Sequence, residues 1–129
     1  MKITCGTDII EISRIKKSIE EMGDKFIGKI FTIKEIQYCE SKKAQKYQHY
    51  AARFAAKEAA FKAISTYLDD KYSISWQDIE ISNNEAGRPE INIKKSIDGL
   101  SIENIESMDI SLSHCKEYAV ANVTILSED

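Results

Sequence analysis

The stretch ARFAAKEAAFKA, Ala52–Ala63, decides the fold, because it predicts one uninterrupted helix. Alanine is the strongest helix former, and neither glycine nor proline interrupts the segment. At about 100° per residue, Glu58 shares a helical face with four apolar side chains, those of Tyr47, Ala51, Phe54 and Phe61. An unpaired carboxylate on a buried face is costly. The position of Glu58 therefore predicts either a structural partner or a ligand.

The segments around this helix, which we place at residues 44–67, indicate an α+β fold. We expect a helix that begins at a Ser13 cap and ends at Gly23, short helical pieces in residues 24–31, and another helix capped by Thr32. Alternating or Ile-rich segments predict strands at residues 2–12, 76–82, 90–93, 108–113 and 118–126. Turn residues at 83–89 predict a hairpin over residues 77–93, and the last two strands are joined by the short segment HCKE. Residues 94–107 are ambiguous between a loop and a short helix. The prediction is one domain, residues 1–129, with an antiparallel sheet on which the long helix and the shorter helices pack.

A glycine interrupts the first predicted strand. Gly6 stands within KITCGTDIIEI, residues 2–12. A glycine inside a strand indicates either a bulge or a close approach of another backbone. The strand pattern alone does not choose between these two explanations.

Composition excludes several classes of protein. The 129 residues, 43% apolar and 30% charged, are typical of a globular domain. No apolar run reaches the ~20 residues of a membrane span, and the first residues lack the apolar region of a signal peptide. The three cysteines, Cys5, Cys39 and Cys115, show no paired spacing. We therefore expect a cytoplasmic protein without a zinc site.

The charges are distributed unevenly along the chain. Residues 1–62 contain 13 Lys and Arg against 8 Asp and Glu, a balance of +5, whereas residues 63–129 contain 5 against 13, a balance of −8. A basic half suits an anionic ligand or an acidic protein, although exposed helices also carry solvated charges. Nucleic acid fits poorly, because the chain is acidic overall and its aromatic residues occupy expected core positions.

Two explanations of Glu58 remain open from the residues alone. One is a helical ion pair with Lys62, one turn further on. The other is a metal site, because Arg53, Lys57 and Lys62 surround this single acid with cations that suit a phosphate. Mg²⁺ typically takes one or two protein carboxylates and completes its shell with water and phosphate oxygens. The second carboxylate would be Asp8, unfavourable in an Ile-rich strand unless it pairs or ligates, or else Glu11.

Other polar groups have equally open roles. Ser113 and His114 end a predicted strand, where they form either a polar turn or a contact to phosphate. Adjacent strand residues point to opposite faces, so the pair is no hydrolase signature. Arg14 and Lys17, with Lys16, lie on the exposed side of the first helix, which is either a solvated face or a docking surface for an acidic protein.

Five segments, in this order, resemble a known family. They are GTDIIEISRI (6–15), IFTIKEIQYCES (30–41), AARFAAKEAAFKAI (51–64), NEAGRP (84–89) and SLSHCKEYAVANV (111–123). Together they resemble the holo-[acyl-carrier-protein] synthases, the small bacterial type of 4′-phosphopantetheinyl transferase. The resemblance implies a cytoplasmic enzyme of fatty acid biosynthesis. It would move phosphopantetheine from coenzyme A to a serine of apo acyl carrier protein, with adenosine 3′,5′-bisphosphate as the other product.

The resemblance also implies roles for residues. Asp8 and Glu58 match magnesium ligands, and Lys62 matches a catalytic lysine. Coenzyme A would contact a longer set: Arg53, Lys57, Lys62, Asn84, Gly87, Arg88, Pro89, Ser113 and His114. Arg14 and Lys17 match the face that receives the carrier protein. Members of this family are typically trimers with the site between subunits. The proton of the attacking serine would leave through a metal-bound water or through Glu58.

Two positions depart from the family pattern. Asp109 replaces a frequent histidine, so a phosphate contact by that histidine does not carry over. Ser65, Thr66 and Tyr67 replace a frequent Gly-Thr-Gly, so we expect a longer helix there. The competing hypothesis is a non-catalytic module, in which Glu58 pairs with Lys62 and the basic first helix only docks an acidic protein.

Overall fold

A three-stranded antiparallel sheet and a long helix packed on it form the frame of the molecule. In the computed structural model, which describes residues 1–68, 74–94 and 105–128, strand β1 (Lys2–Glu11) pairs with the last strand of the chain. A separate two-stranded sheet pairs β2 (Ile79–Asn83) with β3 (Pro89–Ile93). The chain then forms β4 (Ile105–His114) and β5 (Tyr118–Ser127), and the larger sheet has the order β1-β5-β4. The predicted antiparallel α+β class is confirmed, with its strands divided between two sheets.

The helices agree closely with the predicted segments. They are α1 (Ile12–Met22), α2 (Asp24–Ile30), α3 (Ile33–Ser41) and α4 (Lys46–Ile64). A 3₁₀ turn, Ser65–Tyr67, continues α4, so the expected lengthening at this departure from the family pattern is confirmed. The Tyr67 hydroxyl lies 2.7 Å from the Ser127 Oγ, which ties this turn to the end of β5.

Two predicted helix boundaries have different outcomes. The cap at Ser13 is wrong: α1 begins at Ile12 after Glu11, which makes no side-chain cap bond. The strand passes directly into this helix, because the Ile12 N–H donates to the Glu117 carbonyl at 2.9 Å. The cap at Thr32 is confirmed, and Glu35 completes a capping box there.

The second predicted strand begins later than expected. Residues Trp76–Asp78 form a 3₁₀ turn and β2 starts at Ile79, because Ser75 and Asp78 cap this turn reciprocally. The β2–β3 hairpin itself is confirmed. Residues 95–104, most of the segment that was ambiguous between loop and helix, lie outside the described residues.

Gly6 marks the close contact between β1 and α4. A Cβ atom there would overlap the carbonyl oxygen of Ala59 and come within 2.9 Å of the Ala63 nitrogen. The pairing of β1 with β5 is continuous from Lys2 to Glu11, so the bulge is excluded and the close backbone approach is confirmed. Small residues on both sides thus let strand and helix touch, two residues before Asp8.

The two faces of the larger sheet differ in burial. The inner face presents Ala121, Val123 and Ile125, all fully buried in the core that includes the alanines of α4. The outer face leaves Ile3 and Ile9 exposed by 67% and 61%. Within the described ranges, no helix combines the length and the hydropathy needed to cross a bilayer.

Candidate active site

Two carboxylates meet where β1 packs on α4. Asp8 comes from the strand, with a side chain only 18% exposed, and Glu58 comes half-buried from the helix. Burial raises the pKa of Glu58, the neighbouring charge of Asp8 raises it further, and Lys62 opposes both effects. Asp8 is thus close enough to Glu58 to act on its charge, and their shared role as metal ligands stays a prediction. We call Asp8, Glu58 and Lys62 the carboxylate site.

Lys62 contacts Asp8 rather than Glu58. Its Nζ donates to the Thr7 carbonyl at 2.9 Å and to the Asp8 Oδ1 at 3.3 Å, and its side chain is 54% exposed. Among the described residues, no ion pair joins Glu58 to Lys62, so the structural alternative for Glu58 is not formed. One exposed ammonium thus faces two carboxylates, which leaves negative charge uncompensated.

The donor set of the carboxylate site suits a hard divalent cation. Carboxylate oxygens from two elements are the ligands that Mg²⁺ takes, with water or phosphate completing the shell. The raised pKa of Glu58 indicates that a cation is favourable here, because added positive charge stabilises both ionised acids. In the described ranges no group of three or more His, Cys, Asp or Glu residues is arranged for a metal. A cation would thus depend on these two carboxylates for its protein ligands.

An apolar cavity of about 260 Å³ adjoins Glu58. Its lining includes Phe61, Ile74, Trp76 and Ile79. The Trp76 ring stacks on Phe54 with centroids 5.1 Å apart, which fixes one wall. The sequence assigned Trp76 only to a strand, since nothing in its local spacing indicates a cavity.

Lys57 does not join the carboxylate site. Its side chain is fully buried and its Nζ lies 2.7 Å from Glu35 Oε1. The same ammonium donates to the carbonyls of Trp76 and Ile79 at 2.9 and 2.6 Å, and Glu35 also accepts the Ile81 N–H at 2.8 Å. Burial lowers the pKa of Lys57 although Glu35 opposes the shift. The predicted contact of Lys57 with coenzyme A does not fit this position, because its donors are used inside the chain.

Arg53 lies in a basic pocket on another side of α4. Its guanidinium carbon is 4.0 Å from the Tyr38 ring centroid, and Nη2 donates to Asn83 Oδ1 at 2.5 Å. The Nε atom is buried without a hydrogen-bond partner in the described part of the chain. Lys34 and Lys42 line the same cavity, of about 460 Å³. We call this set of residues the basic pocket.

Arg53, Asn84 and Gly87 were predicted from the sequence and line this cavity together, whereas Tyr38, Lys42 and Asn83 were not predicted. Tyr38 lies within the segment IFTIKEIQYCES (30–41), and Lys42 follows it directly. Membership of this segment was the only feature of the sequence that pointed to either residue. Asn83 begins the predicted turn segment, residues 83–89, although no binding role was predicted for it, and its Nδ2 donates to the Gly87 carbonyl at 2.9 Å. This contact connects Arg53 to the hairpin, an association that no local pattern encodes.

The predicted turn residues form the tip of the β2–β3 hairpin. Asn84 Oδ1 accepts the N–H groups of Ala86 and Arg88 at 2.9 and 3.0 Å. Gly87 has φ +85°, which other residues rarely adopt, and Pro89 begins β3. The Arg88 side chain is 60% exposed. The tip is therefore a rigid turn that presents one cation.

His114 lies at the end of β4 near the basic pocket. Its ring centroid is 6.2 Å from that of His49, which is 5.5 Å from Tyr38. Burial lowers the pKa of His49, and Arg53 adds to this shift. Ser113 is exposed on the preceding position of the strand, whose side chains point to the other face. The two predicted residues are thus separated, with only His114 directed toward this aromatic cluster.

The carboxylate site and the basic pocket face different directions. Arg53 and Glu58 are five residues apart on α4, which corresponds to roughly 140° around the helix axis. Among the described residues, Glu58 lines the apolar cavity and Arg53 lines the basic pocket, so the two groups lie in separate cavities.

The first helix presents the predicted cationic face. Arg14 and Lys17 are exposed, whereas Ile12, Ile15 and Ile19 are buried. Lys16 lies above the Tyr47 ring at 5.4 Å from its centroid. The amphipathic pattern fixes this orientation, because the apolar stripe must face the core.

Known proteins of one family resemble this chain in sequence. Residues 4–123 match the model of the 4′-phosphopantetheinyl transferase superfamily. The chain is 48% identical to a holo-[acyl-carrier-protein] synthase of Ruminiclostridium cellulolyticum, over 97% of this chain and 92% of the relative. It is 40% identical to a synthase of the same name from Koribacter versatilis, over 97% and 98% of the two chains.

Solved structures have the same fold. The holo-[acyl-carrier-protein] synthase of Helicobacter pylori, in complex with coenzyme A, superposes with a TM-score of 0.77 at 31% identity, over 95% of this chain and 99% of that one. The Bacillus anthracis synthase, a complex with CoA (3′,5′-ADP), gives a TM-score of 0.76 at 35% identity, over 97% and 96%. By its matched residues, its curated relatives and its fold, the chain belongs to the 4′-phosphopantetheinyl transferase superfamily.

Proposed function

We propose that this chain transfers the 4′-phosphopantetheine group of coenzyme A to a serine of an apo acyl carrier protein, as its relatives' names describe. The carboxylate site carries the proposal. Lys62 contacts Asp8, and the charge of Asp8, after burial, raises the pKa of the neighbouring Glu58. The product would serve fatty acid biosynthesis in the cytoplasm.

Asp8 and Glu58 are the residues that would hold Mg²⁺. Bound there, the ion would supply positive charge to the pyrophosphate of coenzyme A, the main need of such transfers. Lys62 lies beside Asp8 and remains exposed, so its ammonium adds to that charge and meets the ligand directly. On this proposal, the transfer depends on Mg²⁺ and on all three side chains.

The reaction exchanges one phosphorus–oxygen bond for another. The serine oxygen bonds to the β-phosphorus of coenzyme A, and the bond between this phosphorus and the bridging oxygen breaks, which leaves adenosine 3′,5′-bisphosphate. The serine proton would leave through a water molecule at the site or through Glu58, the two acceptors that the site offers. Lys62 neutralises negative charge that develops on the phosphate and on the leaving group.

On this proposal, a complete site would take residues from two copies of the chain. The carboxylate site and the basic pocket diverge on α4, so one ligand that spans both would take one group from each of two copies. Arg53, Asn84, Gly87, Arg88, Pro89 and His114 would then receive the nucleotide end. The outer face of the larger sheet suits this association, because Ile3, Ile9 and Tyr118 are exposed there. We propose a homotrimer, with Ser113 on the same outer face.

The cationic face of α1 would receive the carrier protein. Arg14 and Lys17 are exposed and are held by a helix whose apolar stripe is buried. An acidic protein that docks there gains mainly in association rate, and the gain falls as salt screens the charges.

Mass spectrometry tests the proposal directly. Apo acyl carrier protein incubated with coenzyme A, Mg²⁺ and this protein should gain the mass of one phosphopantetheine group. The gain should disappear when a chelator removes Mg²⁺. A carrier protein that binds but never gains this mass would contradict the proposal and favour a docking module.

A further inference from the structure

An exposed ion pair joins the hairpin tip to the larger sheet. Arg88 follows Gly87 at the tip, and Asp109 lies on β4, an edge strand of the other sheet. The Arg88 Nη2 is 3.1 Å from both carboxylate oxygens of Asp109. The side chains are 60% and 68% exposed, so water reaches both partners.

The acid of this pair is held in place by its own strand. Asp109 Oδ1 accepts the N–H of Ile110 at 2.9 Å. This bond, and next the hydrogen bond and charge of Arg88, lower the pKa of Asp109. Asp109 is therefore ionised at neutral pH and oriented toward Arg88.

The guanidinium of Arg88 has unused donors. In the ranges that the structure describes, Nη2 alone donates, while Nη1 and Nε have no acceptor. The group lines a groove of about 290 Å³ that Asn84, Pro89 and Met108 also line. Asn84 Oδ1 accepts the Arg88 N–H, so the backbone that carries this side chain is fixed. An anion in the groove thus meets an oriented cation whose charge Asp109 already balances.

We propose that Asp109 is a specificity-determining residue, which competes for Arg88 with the phosphorylated nucleotide end of coenzyme A and weakens its binding. The inference rests on the proposed function, because it takes the hairpin tip as part of the nucleotide site. An exposed pair contributes at most about a fivefold change in an equilibrium constant. A phosphate carries more charge and more acceptor oxygens than a carboxylate, so it displaces Asp109. Asp109 therefore sets an affinity threshold without blocking the site.

Calorimetry with adenosine 3′,5′-bisphosphate tests the competition. Asp109→Asn keeps the size of the side chain and removes its charge, and should tighten binding about three- to fivefold at low salt. The gain should shrink as salt rises, because added ions screen the freed cation. In Arg88→Ala, the added Asp109→Asn change should give no gain. Glu90→Gln removes an acid from the wall of the same groove but leaves the ion pair intact. This matched control should change the affinity less than twofold.

Each alternative result is informative. Binding that is unchanged or weaker in Asp109→Asn, or an equal gain in the absence of Arg88, would overturn the inference. An equal gain in Glu90→Gln would overturn it too, because the effect would then be general electrostatics. If the unchanged chain transfers phosphopantetheine and binds the nucleotide, either failure concerns Asp109 alone. If the unchanged chain binds no nucleotide, the proposed function fails and this inference fails with it.

Discussion

Lys57 and Glu58 are neighbours on α4, yet their environments differ completely. Lys57 is fully buried, and its ammonium lies 2.7 Å from Glu35 and within hydrogen-bond distance of two carbonyls. Glu58 is half-buried, lies near Asp8 and has its pKa raised. The balanced charge stabilises the fold, whereas the unbalanced charge provides a place for a ligand. A binding site therefore differs from a structural ion pair mainly in its uncompensated charge, and less in its burial.

The balanced region extends well beyond one ion pair. Thr32 Oγ1 donates to Glu80 at 2.5 Å, and Lys94 lies 3.2 Å from the same carboxylate. Burial alone would raise the pKa of Glu80, but these two partners lower it. With Glu35 and Lys57, this network joins α3, α4 and β2. Every acid in it has a donor from another element, which holds the hairpin against the helices.

The largest effect is expected from a change in the network of balanced charges around Lys57 and Glu35. Lys57→Met should lower the free energy of unfolding by about 3–5 kcal/mol, because it leaves the Glu35 carboxylate buried without its cation. Urea denaturation followed by circular dichroism measures this loss. Adding Glu35→Gln should restore part of the stability, since the uncharged amide still accepts one of the two backbone N–H groups that Glu35 binds, those of Thr32 and Ile81. A single variant that loses less than about 1 kcal/mol would contradict the structural role of the pair.

The next largest effect concerns the carboxylate site, where the charge of Glu58 is not balanced. Glu58→Gln should lower kcat for transfer by about 10²–10³-fold, the range for loss of one electrostatic group in an active site. The fold should persist, because no ion pair with another described residue is lost. The steady-state transfer assay measures kcat. Glu40→Gln is the matched control, since it removes a charge that pairs with Lys46 on the surface while the amide oxygen can still accept the Tyr50 hydroxyl, and its activity should be unchanged. Full activity in Glu58→Gln would contradict its assigned role.

A third prediction concerns the contact between β1 and α4, on which both stability and transfer depend. Gly6→Ala should cost about 1–3 kcal/mol of stability, because the added methyl group overlaps the backbone of Ala59. Transfer should also slow in the folded fraction, since Asp8 moves relative to Glu58. Gly28→Ala is the control: it lies in α2 with open space around it, and alanine favours helix. Denaturation and transfer assays on both variants check the prediction. Equal stability of the two variants would show that the close approach is unimportant.

The smallest effect is a dependence of stability on pH. A carboxyl group whose folded pKa is raised favours the native state below its unfolded pKa, and this contribution is lost as pH rises through the folded value. Ionised Glu58 therefore opposes folding at neutral pH without a cation. Glu58→Gln should raise Tm of the unliganded protein at pH 7 by about 1–2 °C, a small gain because solvent screens the half-buried group. The gain should vanish below about pH 4, where glutamate is protonated in both states. Thermal scans across pH in chelator measure it, and a lower Tm at pH 7 would contradict the sign.

Most of the secondary structure could be predicted from the local sequence pattern. The position of α4, the Thr32 cap and both hairpins follow from spacing, capping residues and turn residues. The errors came where tertiary contacts override local preference. Ser13 does not cap α1, because β1 continues directly into the helix and the Ile12 N–H donates to the Glu117 carbonyl. The strand at Trp76 begins late because Ser75 and Asp78 cap a turn there first.

The site was only partly readable in the same way. Asp8 and Glu58 stood out because acids are unfavourable in an Ile-rich strand and on an apolar helix face. The family resemblance then assigned a role to each acid and to the turn at Asn84. Tyr38, Lys42 and Asn83 carried no such signal, because each is ordinary in its own segment. Only their convergence around Arg53 makes a pocket.

The sequence by itself determined which segments are helix and strand, which faces are apolar, and that Glu58 needs a partner. These properties depend on neighbours within a few turns of the chain. The tertiary structure alone decided which partner each charge received. Lys62 meets Asp8 across 54 residues, and Lys57 meets Glu35 inside the core. Helical spacing alone predicts an ion pair between Lys62 and Glu58. A charged side chain instead pairs with the opposite charge that tertiary packing brings nearest.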